Sequence, residues 1–299
     1  MAITAAQVKE LREKTGVGMM ECKKALQEVD GDLEKAILFL RERGMSRAQK
    51  KAGRTAAEGL VEVYVNADRN CGVLVELNCE TDFVSKNDEF QAFAKDLAGL
   101  ALEKKISNVE ELKSAELNGK VVGDTLTELI AKIGENMNLR RVTVCETSNG
   151  VVAGYSHMGG KIGTLIVLDG ANNDQVEELG KELAMHVAAA SPRFLNESEV
   201  DHSELDQERE IARKKLEEEG KPADMIDKIL VGQMKKFFKE ICLLDQAFVK
   251  DPGVSVSKYV EGQKLGVTLS SFARFQLGEG IEKKQENFAE EVAAQVKSN

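Results

Sequence analysis

The chain nearly repeats itself at an offset of 91 residues, and this repeat limits the folds open to it. Residues 59–61 correspond to 150–152, Tyr64 to Tyr155, and Gly72 to Gly163. In each copy, two apolar runs typical of strands precede a polar segment and an amphipathic helix. The pattern predicts an α+β protein with two similar halves, each a strand hairpin with helices packed on one face.

The first 54 residues have a helical pattern instead. Thr4 and Gln7 form a capping-box pattern, residues 16–18 interrupt the helix, and Asp32, after a turn at residues 30–31, is the expected N-cap of a third helix. These signals predict three short helices over residues 4–43. The Lys- and Arg-rich stretch over 44–55 predicts a flexible basic linker.

Residues 203–241 predict an antiparallel helical hairpin that protrudes from the second half. Its first arm is densely charged, and its second arm begins near Pro222 and carries an apolar stripe. This stripe either packs back onto the core or forms an interface for self-association, possibilities that the sequence leaves equally open. A strand over 269–277, a turn at 278–280 and a helix over 288–296 are expected to close the chain.

These elements predict four segments. Residues 1–54 form the helical domain with its basic linker, 55–148 the first half, 149–274 the second half with the hairpin, and 275–299 a C-terminal module.

Composition and charge narrow the classes of function. The five cysteines are scattered without a CxxC pair and the three histidines lie far apart, so neither a zinc site nor a disulfide framework is expected. No stretch approaches the ~20 apolar residues that span a bilayer, and no signal peptide is recognisable, which predicts a cytoplasmic protein without membrane contact. The net charge of −10 combines +4 over residues 1–54 (12 basic, 8 acidic) with −14 over the remainder (29 basic, 43 acidic). An acidic body argues against general nucleic-acid binding.

The most distinctive local feature follows the second strand of the first half. There Asp82 lies beside Phe83 in a polar loop, and a helix follows with Asp88 as its expected N-cap. An acid next to an aromatic at a strand end suggests a wedge that enters a partner, although Phe83 could also tuck beneath its own loop. The matching positions of the second copy, 172–174, hold no aromatic residue, so the repeat does not need the pair to build each half.

Two further functions are compatible with parts of the sequence. A metal-dependent hydrolase could use Glu76, Glu80 and Asp82, because strand alternation would place the first two on one face; no histidine joins them. A ubiquitin-type binding adaptor is suggested by the first helices alone, but it leaves the duplicated halves without a role.

Ordered motifs along nearly the whole chain resemble those of the bacterial elongation factor Ts family. The segments that carry this resemblance are 9–12 (KELR), 15–20 (TGVGMM), 22–26 (CKKAL), 81–84 (TDFV), 132–136 (KIGEN), the surroundings of His157, 185–188 (MHVA), 192–194 (PRF) and 278–283 (GEGIEK). Their number and order make the resemblance far more specific than any one motif.

The resemblance implies a non-enzymatic guanine nucleotide exchange factor that binds elongation factor Tu and releases its GDP, so that GTP can load. It implies a UBA-like first domain, two core subdomains, a dimerisation hairpin and a C-terminal module, with no cofactor. Residues implied to dislocate the partner's Mg²⁺ are Thr81, Asp82, Phe83 and Val84. Residues implied to contact the partner are Arg12, Met19, Met20, Lys23, Ile133, Gly134 and His157.

Overall fold

The computed structural model describes residues 3–282 and combines helices with antiparallel sheets, in agreement with the predicted α+β class. The helix predicted over 288–296 lies outside the described residues. Within the described part of the chain, no helix has the length and apolar character needed to cross a membrane.

Three helices form the N-terminal part: α1 (Ala5–Thr15), α2 (Met19–Glu28) and α3 (Leu33–Lys51). The predicted caps are present, since the Thr4 side chain accepts a hydrogen bond from the amide of Gln7, and Asp32 accepts one from the amide of Lys35. A small apolar core lies between the helices, formed by Val8, Leu11, Cys22, Ala25, Leu26, Ala36 and Leu40.

The basic stretch predicted as a flexible linker is largely helical, because α3 continues to Lys51. Its cations have partners that a free linker would lack. Arg47 forms a 2.7 Å ion pair with Glu21 of α2, and the Lys51 ammonium donates a hydrogen bond to the carbonyl of Gly134. The prediction of a flexible linker over residues 44–51 is therefore wrong.

The first half is built on a three-stranded sheet of order β1-β2-β5, with β1 (Glu58–Val65), β2 (Cys71–Cys79) and β5 (Met137–Glu146). The middle strand, β2, is buried along its whole length. Between β2 and β5 the chain forms α4 (Asp82–Ser85), α5 (Asp88–Lys104), α6 (Val109–Ser114), the short pair β3 (Glu116–Leu117) and β4 (Lys120–Val121), and α7 (Val122–Ile133).

The second half contains β6 (Gly150–His157), β7 (Ile162–Asp169) and β10 (Thr268–Gln276) in the order β10-β7-β6, with α8 (Asp174–Ala190) packed on β6 and β7. The strand predicted over 269–277 is thus confirmed to within one residue. Before this strand lie α9 (His202–Glu218), α10 (Ala223–Ile241), the pair β8 (Ala247–Phe248) and β9 (Asp251–Ser255), and α11 (Val256–Gly262).

The two sheets contact each other through glycines that correspond in the repeat. A Cβ atom on Gly72 would lie 2.8 Å from Cγ1 of Val152, and one on Gly163 would lie 2.6 Å from Cγ1 of Val61. Each half therefore presents a residue without a side chain to a valine of the other half. The sequence repeat reflects this reciprocal contact.

Helices α9 and α10 pack against each other, and this packing covers much of the apolar stripe. Leu216 of α9 is buried with Ile226 and Leu230 of α10. Ile211 and Val231 remain exposed, at 62% and 59%. Most of the apolar stripe is thus buried or partly buried within the protein, while a smaller apolar surface on the two helices faces solvent.

Candidate functional site

The segment over residues 80–86, here called the Phe83 turn, begins where the buried strand β2 ends. It is more ordered than the predicted loop, because residues 82–85 form the short helix α4. Beneath it, the Cys79 thiol donates a hydrogen bond to the carbonyl of Thr81 at 3.1 Å. Burial raises the pKa of this thiol to about 12, which keeps it protonated as a donor.

Phe83 projects from this turn into solvent. Its exposure is 81%, whereas the next side chain, Val84, is 8% exposed and is packed in the apolar core of the first half. Two adjacent residues of the short helix therefore have different roles: Val84 anchors the helix in the core, and Phe83 is displayed to solvent. The interpretation in which Phe83 tucks beneath its own loop is wrong.

Asp82 is occupied by a neighbour in the same turn. Its carboxylate accepts a hydrogen bond from the Lys86 ammonium at 2.7 Å, and this contact holds the pKa of Asp82 below its ordinary value. The following helix, α5, is capped by Asn87, whose side-chain oxygen accepts from the amides of Glu89 and Phe90. Asp88 is the first residue of that helix, so its prediction as the N-cap was wrong by one position.

Glu135 fastens the Phe83 turn to the end of α7. The amide and the hydroxyl of Thr81 donate to the two oxygens of the Glu135 carboxylate, at 3.0 and 2.6 Å. In return, the amide of Asn136 donates to the carboxylate of Glu80. These crossed hydrogen bonds join two segments that are more than 50 residues apart in sequence.

Ile133 and Gly134 lie next to these hydrogen bonds. Gly134 ends α7 with a φ of 92°, a left-handed conformation that glycine adopts at little cost. Ile133 is half-buried against the apolar core of the first half. The structure therefore places these two sequence-predicted contact residues directly beside the Phe83 turn.

His157 is brought to the same region by the connection between β6 and β7. Its Nδ1 atom shares a hydrogen bond of 2.9 Å with the Tyr155 hydroxyl. Immediately beyond it, the amide of Val61 in β1 donates to the carbonyl of Gly160, and Lys161 forms a 2.7 Å ion pair with Glu58. Since Glu58 is paired with Cys79 across β1 and β2, this connection lies beside the start of the Phe83 turn.

The four N-terminal candidates form a neighbouring surface. Arg12, Met19, Met20 and Lys23 are all exposed on α1 and α2. The turn between these helices approaches α7 closely, because a Cβ atom on Gly16 would lie 2.6 Å from Cε of Lys132. These residues thus lie next to the helix that ends in Ile133, although no contact joins them to Phe83.

Sequence reasoning missed the residues that support the turn. Glu135 and Asn136 belong to a segment that carried the family resemblance, but nothing in the sequence assigned them a role. Arg54, assigned to a linker, lies 3.5 Å from Glu80 and accepts a hydrogen bond from Asn136 through its carbonyl. All of these partners are distant in sequence, so only the folded chain reveals them.

The carboxylates considered for a metal-dependent hydrolase have other partners. Glu76 is fully buried and accepts hydrogen bonds from Arg140, Arg141 and the amide of Gly278. Burial alone would raise the pKa of Glu76, but the hydrogen bonds from the amide of Gly278, from Asn78 and from Arg141 reverse the effect and lower it. Glu80 lies beyond the last residue of β2, so the alternation expected to align it with Glu76 does not apply. Among residues 3–282, no group of three or more acids, histidines or cysteines could hold a metal ion.

Comparisons with known proteins agree with this architecture. Residues 80–279 match the family model described as Elongation factor TS. The chain is 52% identical over 297 residues to Elongation factor Ts of Clostridium perfringens (strain SM101 / Type A), covering 97% of this chain and 98% of that relative. It is 50% identical over 303 residues to Elongation factor Ts of Magnetococcus marinus (strain ATCC BAA-1437 / JCM 17883 / MC-1), covering 99% of each. With half of its residues shared over nearly its whole length, the chain belongs to the elongation factor Ts family of translation elongation factors, which have a role in nucleotide exchange.

Proposed function

We propose that this chain binds elongation factor Tu in its GDP form, dislocates the Mg²⁺ ion of that partner and releases GDP so that GTP can bind. The residues assigned to this step are Thr81, Asp82, Phe83 and Val84. The observation that carries the proposal is the exposure of the Phe83 ring on a turn that hydrogen bonds to Glu135 and Cys79 hold in place. An aromatic ring displayed on a fixed support suits insertion into a partner.

Burial of the Phe83 ring in a partner would supply enough free energy for this step. Burying one Phe side chain yields about 1.5–3 kcal/mol, which can offset the loss of a few contacts around a bound metal and phosphate. Thermodynamic linkage then makes the effect reciprocal: the factor by which this chain weakens GDP binding is the factor by which GDP weakens binding of this chain. The exchange step requires no bond to be made or broken in this chain.

The remaining candidates extend the contact surface on both sides of the turn. Ile133, Gly134 and His157 flank it, and Arg12, Met19, Met20 and Lys23 continue the surface across the N-terminal helices, which we assign to a UBA-like domain. The exposed Met side chains, at 42% and 66%, suit a binding surface because an unbranched thioether adapts its shape to a partner. We assign the four segments 1–54, 55–148, 149–274 and 275–299 to the family's domain order.

A second proposal concerns self-association. The exposed Ile211 and Val231 lie on opposite arms of the pair α9 and α10, so this pair of helices offers apolar contacts at its surface. We assign it to a homodimer interface, separate from the exchange surface.

The exchange proposal is tested by the release of fluorescent GDP from elongation factor Tu. Phe83→Ala is expected to fold normally, because the ring is mostly exposed, and to lose most of the stimulated release. Tyr64→Ala is the matched control, since Tyr64 is an exposed aromatic residue of β1 outside the turn, at 46% exposure. Release by Phe83→Ala at the rate of the unmodified protein would contradict the proposal.

A further inference from the structure

Met158 has a backbone conformation that its side chain does not favour. Its φ is 50°, in the left-handed region, and it is followed by Gly159 and Gly160 at 65° and 88°. Asparagine and glycine adopt this region readily, whereas a bulky apolar residue there is unusual. Among residues 3–282, the other non-glycine residues with positive φ are all polar or charged: Asp30, Arg69, Lys105, Asn118, Ser191 and Lys264.

The Met158 side chain also makes little use of the protein's own core. It is 73% exposed, and of the exposed large apolar side chains in the described part of the chain, only Phe83 is more exposed. Neither backbone preference nor packing therefore explains a methionine at this position. Non-glycine residues held in the left-handed region cluster at active sites, ligand clamps and switch regions, so the conformation of Met158 points to a functional role.

The position of Met158 connects it to the Phe83 turn. It follows His157 directly, at the tip of the connection between β6 and β7. That tip is fixed against β1 by the hydrogen bond from the amide of Val61 to the carbonyl of Gly160, at 2.8 Å, and by the ion pair between Lys161 and Glu58. This ion pair also lies near Asp82: the pKa of Asp82 is lowered mainly by Lys86, while Glu58 raises it and Lys161 lowers it in smaller part.

We propose that Met158 is a further partner-binding residue, making an apolar contact with the same GTPase that receives Phe83. The inference rests on the proposed function for the identity of the partner. Phe83 and Met158 then form two separate apolar contacts, one from each half of the duplicated fold. Phe83 acts on the nucleotide site, whereas Met158 contributes affinity, because it adds contact area outside the turn assigned to the metal.

The test compares Met158→Asn with the unmodified full-length chain. Asparagine suits the left-handed backbone, so this variant is expected to unfold in urea at the same or a higher concentration. Its dissociation constant for nucleotide-free elongation factor Tu, measured by titration calorimetry, is expected to rise about fivefold to tenfold, the size expected for one apolar side chain at an interface. Lys264→Asn is the matched control, because Lys264 is exposed with a φ of 55° but lies in the segment after α11. Lys264→Asn should relieve the same kind of backbone strain without weakening the binding of elongation factor Tu.

The outcomes separate this inference from the exchange proposal. If Met158→Asn binds as tightly as the unmodified chain, Met158 is no contact residue and the inference is overturned. If the unmodified chain binds but releases no GDP, the exchange proposal fails, while the ratio of the two dissociation constants still decides the role of Met158. Met158→Leu, which keeps an apolar side chain, is expected to retain most of the affinity; a loss as large as that of Met158→Asn would also overturn the inference.

Discussion

Thr81 donates both its amide and its hydroxyl to the carboxylate of Glu135, so the residue before Asp82 is held at two points by the end of α7. A carboxylate that accepts two hydrogen bonds from one residue fixes the orientation of that residue as well as its distance from the carboxylate. The display of Phe83 therefore depends on a residue that does not itself belong to the exposed turn.

Glu135→Gln is expected to lower the maximal rate of GDP release roughly tenfold, because the amide keeps only one oxygen acceptor and loses the charge that strengthens both hydrogen bonds. The concentration giving half-maximal release should change less, since the partner-binding residues remain. Glu128→Gln is the control: it neutralises a nearby acid, within α7, whose partner is Lys120 at 2.8 Å. Equal maximal rates in the two variants would show that Glu135 does not position the turn.

Gly44 sets how closely α3 packs on α7. A Cβ atom on Gly44 would lie 2.9 Å from Cβ of Ala131, which is too close for an undisturbed contact. Gly44→Ala is therefore expected to lower the urea midpoint of unfolding or leave it unchanged, despite the higher helix propensity of alanine. In α5, a Cβ atom on Gly99 would meet no atom within 4 Å apart from its own helix backbone and chain neighbours. Gly99→Ala should therefore raise the urea midpoint, with a gain of up to about 1 kcal/mol in the free energy of unfolding. A similar gain from both substitutions would show that the α3–α7 contact has room to spare.

His186 is expected to make stability depend on pH near neutrality. It is fully buried on α8: Nδ1 accepts from the amide of Val249 at 3.2 Å, and Nε2 pairs with the Gln246 side-chain oxygen at 3.0 Å. Burial lowers the pKa of His186 below its ordinary value of about 6.5. Between the lowered pKa and about 6.5, the unfolded chain binds a proton at His186 that the folded chain does not. The free energy of unfolding therefore falls as the pH drops from about 6.5 towards the lowered pKa.

The measurement for this prediction is the urea midpoint between pH 7.5 and 5.5 for the unmodified chain and His186→Gln. Glutamine cannot titrate, so the difference between the two midpoints should shrink as the pH falls. A difference that stays constant across this range would remove His186 as the source of the dependence.

Self-association through α9 and α10 predicts that a charge at an exposed apolar position separates the protomers. Ile211→Glu and Val231→Glu should each shift the mass measured by light scattering from dimer to monomer, with little loss of stability because both side chains are mostly exposed. GDP release should continue in both variants. A dimer that persists in the double variant would place the interface elsewhere.

Local signals in the sequence predicted much of the fold. The capping box at Thr4, the cap at Asp32 and the duplicated strand hairpins depend on residues a few positions apart, where side-chain chemistry and periodicity are informative. The continuation of α3 to Lys51 was not predicted, because the cations that suggested a linker are bound by Glu21 and by the carbonyl of Gly134. These partners come from other elements of the fold.

The candidate site, like the fold, could be predicted from the sequence only in part. An acid beside an aromatic residue at the end of β2 was sufficient to single out Asp82 and Phe83. The exposure of the ring and its support by Glu135 could not be predicted, since either arrangement of a Phe in a loop is compatible with the same neighbours in sequence. Met158 likewise attracts attention only once its φ and exposure are known.

The hydrogen bond between Glu76 and the amide of Gly278 joins residues 202 positions apart. Synthesis on the ribosome proceeds from the N-terminus, so the middle strand of the first sheet is made long before this donor. A buried carboxylate needs its full set of donors to offset the loss of water. The first half therefore completes its own interior only after almost the entire chain has emerged from the ribosome.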